Sequence, residues 1–328
     1  MGALAKEARM TLSVYFILTP NVLLLDYAGP AESLRMAAEM GADLMVHSCS
    51  PVTRLCTSLG IDLDGLLPLP PVLPDNSLLI VTGNARDAED YAMPEAHVVV
   101  DWLRRTPRAD TRIASICSGA LLLAAAGLLD GRHCTTHHSL IDTLRALAPT
   151  AKVEENRIFV EDGQVLSSAG VTTGIDLALY LIERYAGAPM AARVARRQVV
   201  FQRRSAQEPQ LSPWLMHRNH LHPAVHRVQD LIAADPAQAW RVERLAAAAH
   251  VSARHLSRLF VRHAGIGIVA FQQQLRIARA RQLLADPRLS VERVAELAGF
   301  TSARDFRRVW RQHESGAPSS RRMDSETI

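Results

Sequence analysis

The chain has 328 residues, 48% hydrophobic and 21% charged, with a formal net charge of +4 and four cysteines. That length is too great for one ordinary domain and suits two, and no apolar run approaches membrane-spanning length. Cys49, Cys56, Cys117 and Cys134 show neither metal-ligand spacing nor disulfide-rich density, so reduced thiols, no metal and no cofactor are expected. The N-terminus lacks the basic, apolar and cleavage segments of a signal peptide, which points to the cytoplasm. Charge is unevenly spread. From Ala206 to Ile328 there are 18 arginines against 11 acidic residues, a net of +7; the remainder holds 19 basic against 22 acidic residues, a net of −3. The basic excess therefore lies entirely in the C-terminal part, as attraction to phosphates requires.

Residues 1–10 read as a frayed start. Leu12 to Leu18 is apolar and rich in branched and aromatic residues, a buried strand. A loop then carries Leu25-Asp-Tyr-Ala-Gly-Pro30, with Pro30 suited to the first position of a helix running to about Met40. Leu44 to Ser50 reads as a second strand, and Leu78 to Thr82, after a proline-rich stretch, as a third that ends at Gly83-Asn84. A helix from about Glu95 to Arg105 and a strand from Arg112 to Ile116 follow. Strands alternating with helices imply a parallel sheet covered on both faces.

Ile113-Ala-Ser-Ile-Cys-Ser-Gly-Ala120 passes directly from a buried strand into the apolar helix Leu121 to Ala126. A side chain at such a turn stands at the sheet edge beside helix N-terminal amides, which favour thiolate character at Cys117. The alternative is an inert, buried, apolar cysteine. His137 stands at the head of another helix, and Asp26 follows the first strand. Strand C-terminal ends of such a sheet converge on one crevice, so Asp26, Gly83, Asn84, Cys117, Ser118 and His137 are the candidate ligand-binding residues, with Cys117, Asp26 and His137 the candidate catalytic ones.

Near the C-terminus one pattern occurs twice. Val242-Glu-Arg and Ser252-Ala-Arg of the first copy match Val291-Glu-Arg and Ser302-Ala-Arg of the second, which carries one extra residue between them. Each copy begins with apolar residues at i, i+3, i+4 and i+7: Val242, Leu245, Ala246, Ala249, and Val291, Val294, Ala295, Ala298. A break follows, where Gly299 can take a positive φ, and Ser252 and Ser302 stand as N-caps of a second helix. Helix, tight turn, helix is the pattern whose second helix enters the DNA major groove. Leu256, Leu259 and Phe260 point inward in one copy, and Phe306, Val309 and Trp310 in the other. Arg254, Ser257 and Arg258, and Arg304, Arg307 and Arg308, then point outward and are the candidate DNA contacts. Arginine bonds two acceptors on guanine, or a phosphate. Asp305 is either a capping-box carboxylate or a cytosine contact.

These two motifs, with a helix from about Phe271 to Leu284 between them, resemble the AraC/XylS transcription regulators; Arg276, Ile277, Ala280, Leu283, Leu284 and Val294 to Phe300 fit. The resemblance implies two motifs on a rigid linking helix, set in adjacent major-groove segments. Gly265-Ile-Gly-Ile268 and Gly316-Ala-Pro318 depart from that family's Gly-x-Ser-Pro loop. Farther upstream, Ile116-Cys-Ser-Gly-Ala120, Ala124 to Gly131, Thr135-Thr-His137, Val160 to Val165 and Ser167 to Gly170 resemble the PfpI-type, class I glutamine amidotransferase-like domain over about residues 11 to 200. Asp26-x-x-Gly29-Pro30 is similar to its isocyanide hydratase branch, although Ser118 stands where that branch has threonine and His138 where tryptophan is usual. Together the halves resemble the GlxA family of regulators, which Arg203-Arg204, Gln207 and Gln210 also fit.

The fold class expected is an α/β parallel-sheet sandwich, flavodoxin-like and PfpI-type, followed by an all-α domain with two helix-turn-helix motifs. The boundaries read as a sensor domain at 1–206, a linker at 207–223 with three prolines, a DNA-binding domain at 224–318 and a disordered tail at 319–328. The expected function is transcriptional regulation, read as activation, in response to a metabolite in the N-terminal crevice, and not catalysis. Expected partners are double-stranded promoter DNA, an effector such as an amino acid or quaternary amine, RNA polymerase and a second copy of the chain. A quaternary amine calls for an aromatic cage, for which Tyr27 and Tyr91 are the aromatics at hand. Two alternatives stand beside the sensor: cysteine-dependent hydratase or hydrolase chemistry, and redox sensing at Cys117 with Cys134 as the resolving thiol.

Overall fold

The computed structural model describes residues 11–86, 91–108, 110–201, 203–206, 208–212, 216–284, 286–314 and 316–319. The expected frayed start, Gln207 and residues 320–328 of the expected tail lie outside them. The chain divides into two units, Met1–Gln210 and Leu211–Ile328.

In the first unit the strands β1 (Leu12–Ile17), β2 (Leu44–Cys49), β5 (Ser77–Val81), β6 (Arg112–Ile116), β9 (Phe159–Asp162) and β10 (Val165–Ser168) form one sheet in the order β2-β1-β5-β6-β10-β9. Every pairing is parallel except β9 with β10. The expectation of a parallel sheet holds for five strands. The sixth is an antiparallel edge, because only two residues, Gly163 (φ 63) and Gln164, join β9 to β10, and so short a link permits only a hairpin. Two short pairs lie outside the sheet: β3 (Leu55–Cys56) with β4 (Asp62–Leu63), and β7 (His133–Cys134) with β8 (Lys152–Val153).

The period-2 geometry of the strands assigns the two cores. Val14, Phe16, Leu78, Ile80, Ala114 and Ile116 face one side, where α1 (Leu24–Glu39), α5 (Thr173–Ala186) and α6 (Ala188–Arg197) cover them with Leu34, Leu177, Leu181 and Val194. Leu79, Val81 and Ile113 face the other, covered by α2 (Pro94–Arg105), α3 (Gly119–Ala125) and α4 (Ile141–Leu147) through Val99, Leu103, Leu121, Leu123 and Leu144. Central strands buried on both faces explain the continuous apolar run Leu78–Val81 and the apolar residues Ile113, Ala114 and Ile116 of β6.

One expectation fails at α1. The helix begins at Leu24, six residues before Pro30, so Asp26 lies in its first turn and not in a loop. Proline removes a single donor, and the buried face carrying Pro30, Ser33, Leu34 and Ala37 supplies enough packing to continue the helix through it.

The second unit holds α7 (Pro223–Ala234), α8 (Val242–Ala248), α9 (Ala253–Ala264), α10 (Ile268–Leu284), α11 (Val291–Leu297) and α12 (Ala303–His313). It has two cores, and α10 serves both. Ile268, Phe271 and Leu275 pack with α7, α8 and α9, while Ile277, Ala280 and Leu284 pack with α11 and α12. Gln272 and Arg276, on the same helix, hold the turn after α7. Gln272 Nε2 donates to the Pro236 and Gln238 carbonyls at 3.1 and 2.6 Å, and the Arg276 guanidinium to the same two at 2.7 and 2.9 Å. Buried carbonyls that lack a helical partner are thereby satisfied.

Around the proposed boundary, the Glu208 carbonyl accepts from Ile158 N–H, and Gln210 Nε2 donates to the Thr136 carbonyl at 2.9 Å, within the first unit. Arg204 pairs with Asp176 at 2.6 Å in the same unit.

Candidate functional site

Cys117 is the first of the two residues between β6 and α3 and has φ 56, a left-handed conformation that costs a non-glycine residue about 1–2 kcal/mol. Both sides of its peptide are anchored. Its N–H donates to the Ser168 carbonyl at 3.0 Å, and its carbonyl accepts from Thr136 Oγ1 at 2.8 Å. Three glycines make room for the turn. A Cβ on Gly83 would stand 2.7 Å from Asp26 Oδ2 and 2.8 Å from both Cys117 Cβ and Ser118 Oγ, and one on Gly170 would lie 2.8 Å from Cys117 Sγ. A Cβ on Gly119 would press on the Val81 carbonyl. Asp26 is fully buried, and its Oδ1 accepts the backbone N–H of Val171 at 2.5 Å.

The fold thus brings Asp26, Gly83, Cys117 and Ser118 into one place at the C-terminal ends of β1, β5 and β6. It turns one expected side chain, that of Asn84, elsewhere. The Asn84 side chain receives Thr19 Oγ1 at 3.0 Å and donates to the Pro20 carbonyl at 3.1 Å, so it braces the loop after β1. Ser118 Oγ accepts from Asn84 N–H at 3.0 Å and from the Tyr91 hydroxyl at 2.9 Å. His137 is half-buried, with Nδ1 2.7 Å from Ser139 Oγ and its ring 4.2 Å from that of His138. Tyr27 sets its ring edge against Phe16 and its hydroxyl 2.7 Å from Ser48 Oγ, as a core residue does, which leaves it no place in an aromatic cage. Cys117 itself is 7% exposed, so whatever reaches its thiol is small or enters a narrow opening.

Two features were not read from the sequence. Gly170 and Thr136 fit against Cys117, signalled only by a glycine directly after a buried strand and by a threonine pair before His137. Beyond Tyr91 lies a cavity of about 530 Å³ between α2, α3 and α4, lined by Val100, Leu121, Leu122, Thr143 and Leu147. The other buried thiols are unreactive by position: burial pushes Cys49 and Cys134 up to about 11, with Glu154 and Asp162 adding to the effect at Cys134. A thiol so seldom ionised makes a poor resolving partner for Cys117.

In the second unit, the two recognition helices α9 and α12 match closely. Ser252 Oγ accepts from His255 N–H and Ser302 Oγ from Asp305 N–H, both as N-caps. His250 has φ 55 where the other copy has Gly299 at φ 89, so both turns pass through the same left-handed residue. Leu256, Leu259 and Phe260, and Phe306, Val309 and Trp310, are buried, and Arg254, Ser257, Arg258, Arg304, Arg307 and Arg308 are exposed. Arg258 lies 3.2 Å from His255 Nδ1, and Arg308 pairs with Asp305 Oδ1 at 2.7 Å. The Asp305 carboxylate therefore braces an arginine of its own helix. Arg307 reaches Glu292 on α11 at 2.9 Å, and Ser257 Oγ donates to the Ala253 carbonyl. Arg254 and Arg304 stand at the same place in the two helices, and among the described residues neither enters an ion pair.

No helix among the described residues is long and apolar enough to cross a membrane. The helix-turn-helix domain signature matches residues 245–323, and that of the DJ-1/PfpI family residues 12–184, more than half the chain. The HTH-type transcriptional regulator GbdR of Pseudomonas aeruginosa is 28% identical over 317 residues, which cover 95% of this chain and 84% of that protein. The HTH-type transcriptional regulator GlxA of Rhizobium meliloti is 28% identical over 98% of this chain and 99% of its own length. The isonitrile hydratase of Pseudomonas putida is 32% identical over 56% of this chain and 77% of that enzyme. Similarity to these two regulators spans nearly the whole chain, and similarity to the isonitrile hydratase spans 190 residues of it. The chain belongs to the DJ-1/PfpI family and joins that domain to a C-terminal helix-turn-helix domain of the AraC type.

Proposed function

We propose that the protein is a sequence-specific, DNA-binding transcriptional regulator, acting as an activator in the cytoplasm, whose N-terminal unit senses a small metabolite. Arg254 and Arg304 carry the reading. Two arginines at one place on two matched recognition helices, exposed and outside any ion pair among the described residues, are free to meet phosphates or a guanine edge. The similarity to regulators along nearly the whole chain supports it. Selection of random duplexes by the full-length protein, followed by fluorescence anisotropy in increasing salt, tests it. Enrichment of a bipartite sequence supports the reading, and no enrichment at low salt refutes it.

The effector site in this reading is the crevice at Cys117, with Asp26, Gly83, Ser118 and His137 around it. RNA polymerase and a second copy of the chain complete the expected assembly. One observation favours a second reading. A cysteine held at φ 56 beside a buried carboxylate is the arrangement of an activated nucleophile, so the site retains cysteine-dependent hydratase or hydrolase chemistry, with Asp26 moving the proton. Mass spectrometry of amino acids, betaines and isocyanides incubated with wild type and Cys117→Ala separates the two. A compound bound but recovered unchanged marks a sensor; one consumed by wild type alone marks an enzyme.

A further inference from the structure

The segment that enters the helix-turn-helix unit is dense in histidine. His217, His220, His222 and His226 fall within ten residues, and the last turn of α9 adds His263. The rings of His220 and His226 lie 4.6 Å apart, those of His222 and His263 4.6 Å, and those of His220 and His263 5.9 Å. His217 fastens the segment to two helices at once. Its Nδ1 is 2.9 Å from the carbonyl of Ala264, the end of α9, and its Nε2 is 2.9 Å from Gln274 Oε1 on α10. Gln229 Nε2 of α7 donates to the His217 carbonyl at 2.6 Å.

The charges around the cluster are mostly of one sign. Arg218 lies 3.3 Å from His226 Nδ1, and Arg262 acts on His263. The carboxylate of Asp230 is already paired with Arg218 at 2.7 Å, and the neutral amide of Gln229 is the acceptor beside His220. A proton taken by these rings adds charge of the sign already around them.

We propose that the cluster is a proton-operated clamp. With the rings of His220, His222, His226 and His263 neutral it holds the entering segment against the first recognition helix, and charging them drives residues 220–222 off α9; His217, whose two ring nitrogens both face oxygen acceptors, is an anchor outside the switch. Lost solvation, with His226, His263 and His222 nearby, holds His220 below the ordinary imidazole value; lost solvation, His222 and Arg262 do the same for His263. The sign follows. A released histidine takes a proton more readily than a docked one, so docking is complete above the ordinary value of 6.5 and weakens as pH falls below it. Because this segment is the covalent path from the sensing unit to α9, the same release would alter DNA binding; that consequence rests on the regulator reading, whereas the clamp does not.

Hydrogen exchange of the full-length protein without DNA tests the clamp, with rates corrected for the chemical effect of pH. Between pH 7.5 and 5.5, amides 220–222, where His222 N–H rests on His220 Nδ1, should lose protection by roughly tenfold, while those of α12 keep theirs and report that the unit remains folded. His220→Gln and His263→Gln should each reduce the pH dependence by at least about half. Equal protection at both pH values, or a dependence unchanged in both variants, overturns the proposal. Should either variant fail to fold, the wild-type profile still decides it.

Discussion

Gly170 lies directly against Cys117: a Cβ at its position would sit 2.7 Å from the Cys117 Cα and 2.8 Å from the sulfur. Its φ of 84 is itself unfavourable to any other residue. Gly170→Ala should therefore destabilise the first unit by about 3 kcal/mol or more, or force Cys117 out of its left-handed conformation. Denaturant melts, paired with the alkylation rate of Cys117, distinguish the two. An unchanged midpoint with an unchanged rate would mean that the close approach is not as described.

Cys49 and Cys134 make stability depend on alkaline pH. The folded thiols keep their protons up to about 11, whereas an unfolded thiol loses its proton near 9. Stability is thus intact below pH 9 and falls as pH rises from 9 through 11, by about 2–3 kcal/mol for each thiol. Denaturation midpoints at pH 8, 9, 10 and 11 should show the decline, and Cys134→Ala should reduce it by about half.

The arginines of α9 and α12 divide by what they touch. If Arg258 or Arg308 reads a base, its replacement by alanine should cost about 1–3 kcal/mol on the selected site alone. If Arg254 or Arg304 contacts a phosphate, its loss should weaken all sequences alike and reduce the salt slope by about 1. Anisotropy titrations on specific and scrambled duplexes, over a range of salt, assign each residue.

Gly299 joins two requirements in one position, a φ of 89 and the backbone of Ala237, whose carbonyl carbon would stand 2.8 Å from a Cβ. Gly299→Ala should cost the second unit about 2–4 kcal/mol and weaken DNA binding with it. His250→Gly, at the equivalent turn, should stabilise by up to about 1 kcal/mol, since it relieves a left-handed non-glycine residue. Thermal melts of the two variants should move in opposite directions.

Local pattern made the helix-turn-helix unit readable. Apolar residues at helical spacing, Ser252 and Ser302 as caps and Gly299 at the turn each act within a few residues of themselves, and the observed α8, α9, α11 and α12 follow them. The central strands and the step at Cys117 were readable for the same reason. Contacts between distant segments were not. Nothing near Gly170 announces that it packs on Cys117, more than fifty residues away, and Asn84 faces Pro20 because of how two loops meet. Local rules also misplaced the start of α1, where burial outweighs the proline, and the antiparallel edge went unread although Asp162-Gly163 is a hairpin signal. Asp305 shows the limit most simply: its position allowed a cap or a base contact, and the fold pairs it with Arg308.

In the proposed function, the two recognition helices on one linking helix enter two consecutive major-groove turns on one face of the duplex. Hydroxyl-radical footprinting of the full-length protein on its selected site examines this directly. The account predicts two protected windows per chain with centres about 34 Å apart, one weakened by Arg254→Ala and the other by Arg304→Ala. A single window, or two windows that both variants weaken equally, would contradict it.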